Sequence, residues 1–289
     1  MMQSDDERSL GRRASELRKR DFARLADFVQ GYSGIMMPPI KKTLMEGRLR
    51  RRAKALGMSD VSEYCRYLLD EGGLDEEAEH VIDVVTTNKT DFFREAAHFE
   101  FLSCQALPNL LCERNSPQIK AWSAACSIGA EAYSIAMVLG DFALVHREMT
   151  FTVYATDICH EVLQRGVRAV YSDGDVVPVP RSQRDRYFMR AKNPDRGEVR
   201  VVPSLRQQVR FGRLNLMDPC YAMPKDMDII FCRNVLIYFR REVQHQVLSR
   251  LCEHLRPGGY LFVGHTESLA GHRLPVNQVG NAVFVRNQG

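Results

Sequence analysis

Trp122-Ser-Ala-Ala-Cys-Ser-Ile-Gly-Ala-Glu-Ala-Tyr-Ser-Ile-Ala136 decides how this chain is read. Small residues run off the apolar segment Ile119 to Trp122, which has the character of a strand, and turn through Ser127, Ile128 and Gly129. An apolar helix follows, opening at a carboxylate, Glu131. Glycine at such a turn lets a ligand approach the backbone closely. A helix N-terminus favours anions, so a carboxylate in its first turn suits a ligand with hydroxyls or an ammonium group better than a pyrophosphate. On this segment alone, an ordinary strand-turn-helix with Glu131 as a helix-start residue remains an equal alternative.

Two further runs extend the pattern. Phe151-Thr-Val-Tyr-Ala-Thr-Asp-Ile158 is rich in β-formers and ends on Asp157, placed where nucleotide-binding α/β folds put an acid for ribose hydroxyls. Asp228-Ile-Ile-Phe-Cys-Arg-Asn-Val-Leu-Ile-Tyr-Phe239 reads as a buried strand with polar Arg233 and Asn234 at its carboxyl end, where ligands of open α/β sheets bind. A nucleoside-binding α/β domain is the favoured reading.

The 289 residues are 45% hydrophobic and 26% charged, as expected of a globular protein with an ample core. No apolar run approaches the roughly 18 residues of a membrane span, so no membrane insertion is expected. Met1 to Arg13 is polar and charged, unlike a secretory signal. The eight cysteines form no C-x-x-C pair, which favours reduced, buried thiols over disulfides or zinc. A cytoplasmic, metal-free protein is expected. Net charge is only +4, but basic residues crowd the first part of the chain, from Arg12 and Arg13 through Arg18, Lys19 and Arg20 to Arg48, Arg50, Arg51, Arg52 and Lys54. Such a run is either a solvated helix face or a surface for an acidic partner or nucleic acid.

Residues 1–20 read as a flexible tail and 21–85 as a helical domain. Phe22, Leu25 and Val29 share one helical face, and Val61, Tyr64, Cys65, Leu68 and Leu69 follow helical spacing after the start signal Asp60/Glu63. From about residue 86 to 289 strands and helices alternate, which implies a parallel sheet covered on both faces. Within it, 171–213 carries several prolines and arginines and the β-rich runs Val199 to Val202 and Gln208 to Phe211. That segment is either a long excursion between sheet strands or a small antiparallel β subdomain.

Several blocks together resemble one family. They are Thr86-Thr-Asn-Lys-Thr-Asp-Phe-Phe-Arg94, Trp122 to Ala136, Ala155-Thr-Asp-Ile158, Asn215-Leu216, Phe231 to Phe239, and Pro257-Gly-Gly-Tyr-Leu-Phe-Val-Gly-His-Thr-Glu-Ser268. In this order they resemble the chemotaxis protein-glutamate O-methyltransferases, the CheR family, from about Asp21 onward. The resemblance implies a Rossmann-like S-adenosylmethionine-dependent methyltransferase sheet with an N-terminal all-helical domain. It implies methyl ester formation on glutamates of chemoreceptor cytoplasmic helices, with S-adenosylhomocysteine as product. By the same resemblance the cofactor pocket takes Asn88, Thr90, Arg94, Glu131, Asp157, Asn215, Leu216, Cys232, Arg233 and Asn234. Arg94 and Tyr238 stand nearest the chemistry, Arg94 as a fork for a carboxylate and Tyr238 to orient the acceptor. His265 and Glu267, in the last block, read as structural.

The chain departs from the family at Ile128, Ala130 and Ala132, where the turn usually reads Ser-Thr-Gly-Glu-Glu-Pro. Some members dock a receptor C-terminal peptide on the β subdomain by strand addition. Here Gly197, Val199 and Arg200 match that pattern, whereas Ala191 and Asn193 replace glycines. A non-catalytic nucleotide-binding module would lack Arg94, Asp157 or Tyr238, and all three are present. A nucleic-acid methyltransferase would want stacking aromatics among the basic residues, and few are there, so no nucleic-acid partner is expected.

Overall fold

The computed structural model describes residues 16–86, 88–112 and 118–288. The expected tail lies largely outside them, as do Arg12 and Arg13. The chain divides after Thr87 into two compact units.

The first unit is helical: α1 (Lys19–Ser33), α2 (Lys42–Ala55), α3 (Val61–Asp70) and α4 (Leu74–Val85). Phe22, Leu25 and Val29 are buried on α1, and Val61, Tyr64, Cys65 and Leu68 on α3, as the helical spacing requires. Asp60 caps α3 by accepting from the Glu63 amide at 2.9 Å, while Glu63 reaches back to the Ser59 amide at 2.7 Å. The arginine-rich α2 is not one solvated face. Arg52 makes a two-pronged bond to Glu77 at 2.8 and 2.6 Å, and Tyr64 donates to the same carboxylate at 2.8 Å. Arg48 donates to the carbonyls of Val84 and Thr86, closing the C-terminal end of α4. Arg50 pairs with Glu46 at 2.8 Å, and Arg51 and Lys54 are exposed.

The second unit opens with α5 (Ala96–Phe101), a π-helical segment Leu102–Ala106 and α6 (Leu107–Cys112). The α/β part runs β1 (Gln118–Ala124), α7 (Ala130–Val145), β2 (Thr150–Asp157) and α8 (His160–Arg168). Next come β3 (Val170–Ser172), α9 (Arg181–Tyr187), β4 (Phe188–Arg190), β5 (Glu198–Val201), α10 (Pro203–Arg206) and β6 (Val209–Arg213). The chain closes with β7 (Met227–Cys232), α11 (Arg241–His254), β8 (Leu255–Val263), β9 (Val276–Gly280) and β10 (Val283–Arg286). A seven-stranded sheet has the order β6-β2-β1-β7-β8-β10-β9, and β3, β5 and β4 form a separate antiparallel sheet.

The strands from β6 to β8 are parallel, and β10 runs antiparallel to both β8 and β9. All six residues of β7 are buried, the pattern of a strand covered on both faces. One sequence grouping needs correction. The sequence groups Gln208 to Phe211 with the small antiparallel region, but Val209 to Arg213 pairs in parallel with Val153 to Asp157 and closes the main sheet. A short strand next to Pro- and Arg-rich sequence carries no signal of which sheet it joins; that is set by the register with β2.

The order of strands reverses at β1. The chain moves outward from β1 to β2 and β6, then returns to place β7 on the other side of β1. Ligands of open α/β sheets bind at such a reversal, beyond the carboxyl ends of the strands. Here those ends lead into 125–129 and 233–238.

Candidate functional site

The turn after β1 is wound tightly. Ala125 (φ 63°), Ser127 (φ 51°) and Gly129 (φ 85°) all sit in the left-handed region, which costs a non-glycine residue about 1 kcal/mol or more. Bonds on three sides hold it there. The Cys126 amide donates to the Thr156 carbonyl at 2.9 Å, the Ser127 amide to Asp157 Oδ2 at 2.8 Å, and Ser127 Oγ to the Asn88 carbonyl at 2.8 Å. Asp157 Oδ1 also accepts from the Cys159 amide at 3.0 Å. Glycine is required at 129 twice over, since a Cβ there would also come within 2.9 Å of the Phe211 ring.

Across the reversal, Arg233 ties the walls together. Its side chain is 2% exposed. Nε donates to Glu131 Oε2 at 2.8 Å, Nη1 to His98 Nδ1 at 2.9 Å and Nη2 to the Arg94 carbonyl at 2.7 Å. The guanidinium carbon lies 5.5 Å from the ring centroids of both Phe99 and Phe231. Glu131 Oε1 accepts from Ser123 Oγ at 2.7 Å, so both carboxylate oxygens are held by protein donors. His98 Nε2 lies 3.1 Å from the Asn281 carbonyl. A carbonyl can only accept, so Nε2 carries the hydrogen and Nδ1 is the bare acceptor for Arg233. Burial, and then the Arg233 charge, push the His98 pKa down to about 4, which keeps the ring neutral.

Glu95 and Glu267 fix the loop beyond β7. Glu95 stands just before α5 in a left-handed conformation (φ 58°) and accepts from Asn234 Nδ2 at 3.2 Å. Burial opposes its ionisation, but Arg233, Asn234 and His265 outweigh it and hold the carboxyl below its usual range. Glu267 accepts from the amides of Gly264 (2.6 Å), Leu236 (2.7 Å), Asn234 (2.9 Å) and Ile237 (3.3 Å). Burial raises its pKa against the pull of those four bonds. Glu95, His98 and His265 bring potential ligand atoms within 4.8 Å of one another. The Arg233 guanidinium already holds His98 Nδ1 and lies 3.5 Å from Glu95 Oε2, so a second cation there meets a fixed positive charge.

The remaining expected residues lie in the segments before α5, after β6 and at and after the end of β7. Asn88, Thr90, Arg94, Asn215, Asn234 and Tyr238 are half-buried. Asn88 Nδ2 contacts Cys159 Sγ at 3.6 Å, and Arg94 Nη1 donates to the Lys89 carbonyl at 3.3 Å. The Phe93 amide docks on Ser134 Oγ at 3.0 Å, tying residues 88–95 to α7. Leu214 donates to the Asp157 carbonyl at 3.0 Å, which brings Asn215 and the buried Leu216 beside the end of β2. Asn215 Oδ1 accepts from the Met217 amide at 3.0 Å, and Tyr238 ends a short 3-10 turn, Leu236–Tyr238. Cys232 is fully buried, and its thiol is pushed well above its ordinary pKa by burial, then by Glu267 and Glu131. Its side chain, like that of Arg233, packs against protein. Sequence reasoning missed Ser123, Glu95 and His98. Glu95 follows Arg94 directly and His98 lies one helical turn on, but nothing in local periodicity distinguishes a buried polar network from a helix start.

Two family models match the chain: the CheR methyltransferase all-alpha domain over residues 20–86 and the CheR methyltransferase SAM binding domain over residues 88–285. The chain belongs to the CheR methyltransferase family. A chemotaxis protein methyltransferase of Klebsiella aerogenes is 37% identical over 92% of this chain and 87% of its own length. One of Escherichia coli is 38% identical over 86% and 84%, and one of Borreliella burgdorferi 34% over 88% and 90%. This CheR-family chain is therefore an S-adenosylmethionine-dependent methyltransferase of the chemotaxis class. The donor set fits that cofactor. A carboxylate stands at the end of β2, a guanidinium at 94, and amides at 88, 215 and 234, suited to ribose hydroxyls and an amino-acid head group. Among the described residues no helix is long and apolar enough to cross a membrane.

Proposed function

We propose that this enzyme esterifies glutamate side chains on the cytoplasmic helices of chemoreceptors, and does so in the cytoplasm. The observation that carries the reading is the match over both family domains, supported by the tightly held turn after β1, whose Ser127 amide is bound by Asp157. When bound, the cofactor supplies a methyl group activated on a sulfonium. A glutamate carboxylate, with a pKa of about 4.3, is already ionised at neutral pH, so no general base is needed. The protein's work is alignment and exclusion of water. In this reading Asp157 takes the ribose, Asn215 and Leu216 flank the base, and Asn88, Thr90, Arg94 and Asn234 hold the amino-acid head. Tyr238 orients the incoming carboxylate. Glu131, Cys232 and Arg233 support the pocket wall, Glu131 and Arg233 by holding each other.

The helical unit 21–85 is assigned to receptor recognition, through its exposed basic residues, and 86–289 to the chemistry. The three-stranded sheet has β3 and β4 as its edges, and strand addition there is the route by which a receptor C-terminal peptide would dock. Incubation with labelled S-adenosylmethionine and receptor cytoplasmic fragments tests the main reading. Base-labile methyl esters that vanish when the receptor glutamates are replaced are expected; label only in base-stable linkages would overturn it.

A further inference from the structure

Arg233 belongs to the loop after β7, yet each group it holds belongs to a different element. Glu131 opens α7, Arg94 precedes α5, and His98 lies on α5 itself. The first two belong to segments far apart in sequence, the helix after the β1 turn and the stretch that leads into α5. A guanidinium is planar with donors at fixed angles, so where one prong is anchored determines where the others point. The anchor with no other duty to the crevice is His98. Its far nitrogen is committed to the Asn281 carbonyl, Nδ1 also faces Glu95 Oε2 at 3.4 Å, and its ring is wedged edge-on against Phe262 and His265.

We infer that His98 is a positioning residue for methyl transfer: its bare Nδ1 fixes Arg233 Nη1, and through Arg233 it fixes the Arg94 carbonyl and the Glu131 carboxylate relative to each other. This rests on the reading that residue 94 and the turn before Glu131 serve the cofactor. Without that acceptor, Nη1 becomes a buried donor with no partner, which is unfavourable. The nearest replacement is Glu95 Oε2, 3.5 Å away and without a hydrogen bond of its own. Rotating the guanidinium toward it draws the other prongs off Glu131 and Arg94. The neutral ring matters for the same reason, since a protonated Nδ1 would present a donor to a donor.

The test compares His98→Leu, which removes both ring bonds, with His98→Asn, whose Oδ1 stands where Nδ1 stood but which cannot reach Asn281. Titration calorimetry with S-adenosylhomocysteine, receptor methylation rates and Tm are measured on the full chain. The expected result is a loss of about 10-fold or more in affinity for His98→Leu, most of it recovered in His98→Asn even though both lose stability. Equal affinities in the two variants, or affinities that simply follow Tm, would overturn the assignment. Nitrogen NMR of the wild-type ring gives an independent readout. A neutral Nε2–H tautomer persisting to pH 5 is expected, and the Nδ1–H form would overturn it. Arg94→Ala separates the underlying reading. If it binds and methylates like wild type, residue 94 has no cofactor role, while the contrast between Leu and Asn still decides whether His98 acts through Glu131.

Discussion

Each unit of this chain pairs an arginine with a buried carboxylate, and the two pairs do different work. In the helical unit, Arg52 grips Glu77 with two prongs, Tyr64 adds a third bond, and the set joins α2, α3 and α4. Its hydrogen bonds join one cation, one anion and one hydroxyl, with His80 Nδ1 beside the same carboxylate at 3.9 Å. In the α/β unit Arg233 uses its prongs singly, on a carboxylate, an imidazole and a backbone carbonyl. A two-pronged pair fixes two helices strongly and transmits nothing further. A branched one fixes three segments more weakly and makes their relative placement depend on one side chain. Removing either partner of such a pair is costly because it strands the other, but only the branched arrangement should couple that cost to ligand binding.

The largest effect should come from cutting the two hubs. Arg233→Met leaves Glu131 and Glu95 without their cation and should cost about 3–5 kcal/mol, a fall in Tm on the order of 10 °C, with S-adenosylhomocysteine binding lost as well. Arg52→Met should lower Tm by a smaller amount, because Arg52 is more exposed, and leave cofactor affinity intact. If thermal melts and calorimetry show both variants losing affinity, the contrast between the hubs is wrong. Next, Arg94→Ala should cut turnover on the order of 10²-fold with little change in Tm, and Tyr238→Phe should do so to a lesser degree. Steady-state methylation of receptor fragments, set beside melting curves, checks both.

Asp157→Ala should weaken cofactor binding by about 1.5–3 kcal/mol and also loosen the turn, since the carboxylate holds the Ser127 and Cys159 amides. Calorimetry showing unchanged affinity would remove the ribose assignment. The two hubs should also differ in acid. His98 titrates at about 4 in the folded chain against 6.5 ordinarily. Between those values the unfolded chain binds more protons, so stability falls as pH drops from 6.5 toward 4. Urea unfolding at pH 7 and 4.5 should show this slope flattened in His98→Asn. Glu77, held low by Arg52 against burial, contributes stability that is lost only as pH falls further, through its depressed pKa. That part should survive the His98 change and disappear in Glu77→Gln. The smallest effect belongs to the exposed basics. Reversing Arg51 and Lys54 should raise the receptor KM by roughly two- to fivefold and reduce its salt sensitivity, leaving Tm and cofactor affinity alone. Arg48 and Arg52 are poor probes of that surface, because both are tied to α4.

The sheet and the reversal were legible because parallel strands buried on both faces leave continuous apolar runs, and their polar ends stand out against them. Asp157 and the Ser127-Ile128-Gly129 turn were visible for that reason. The helices of the first unit were visible through spacing and through the Asp60/Glu63 cap. What the chain did not reveal is where side chains far apart in sequence meet. Arg233 and Glu131 read as ligand groups because each is a charge at a strand or helix end; their 2.8 Å approach to each other, across 102 residues, has no signal in local spacing. The arginines of α2 looked alike for a related reason: helical periodicity separates buried from exposed positions, but an arginine's long stem lets its head reach an acceptor on another helix. Composition does not place Val209 to Arg213, because register assigns a short strand to its sheet.

The two ends of the main sheet carry a separate consequence. A row of unpaired amides and carbonyls at a sheet margin invites another chain to add on, the first step toward aggregation. At one margin, β6 carries Arg210 and Arg213. At the other, β9 offers the mostly exposed run Val276-Asn-Gln-Val-Gly280, and its pairing with β10 breaks register between Val283 and Phe284. Charge at one border and an irregular, polar ribbon at the other leave no flat apolar template at either edge of the seven-stranded sheet among the described residues.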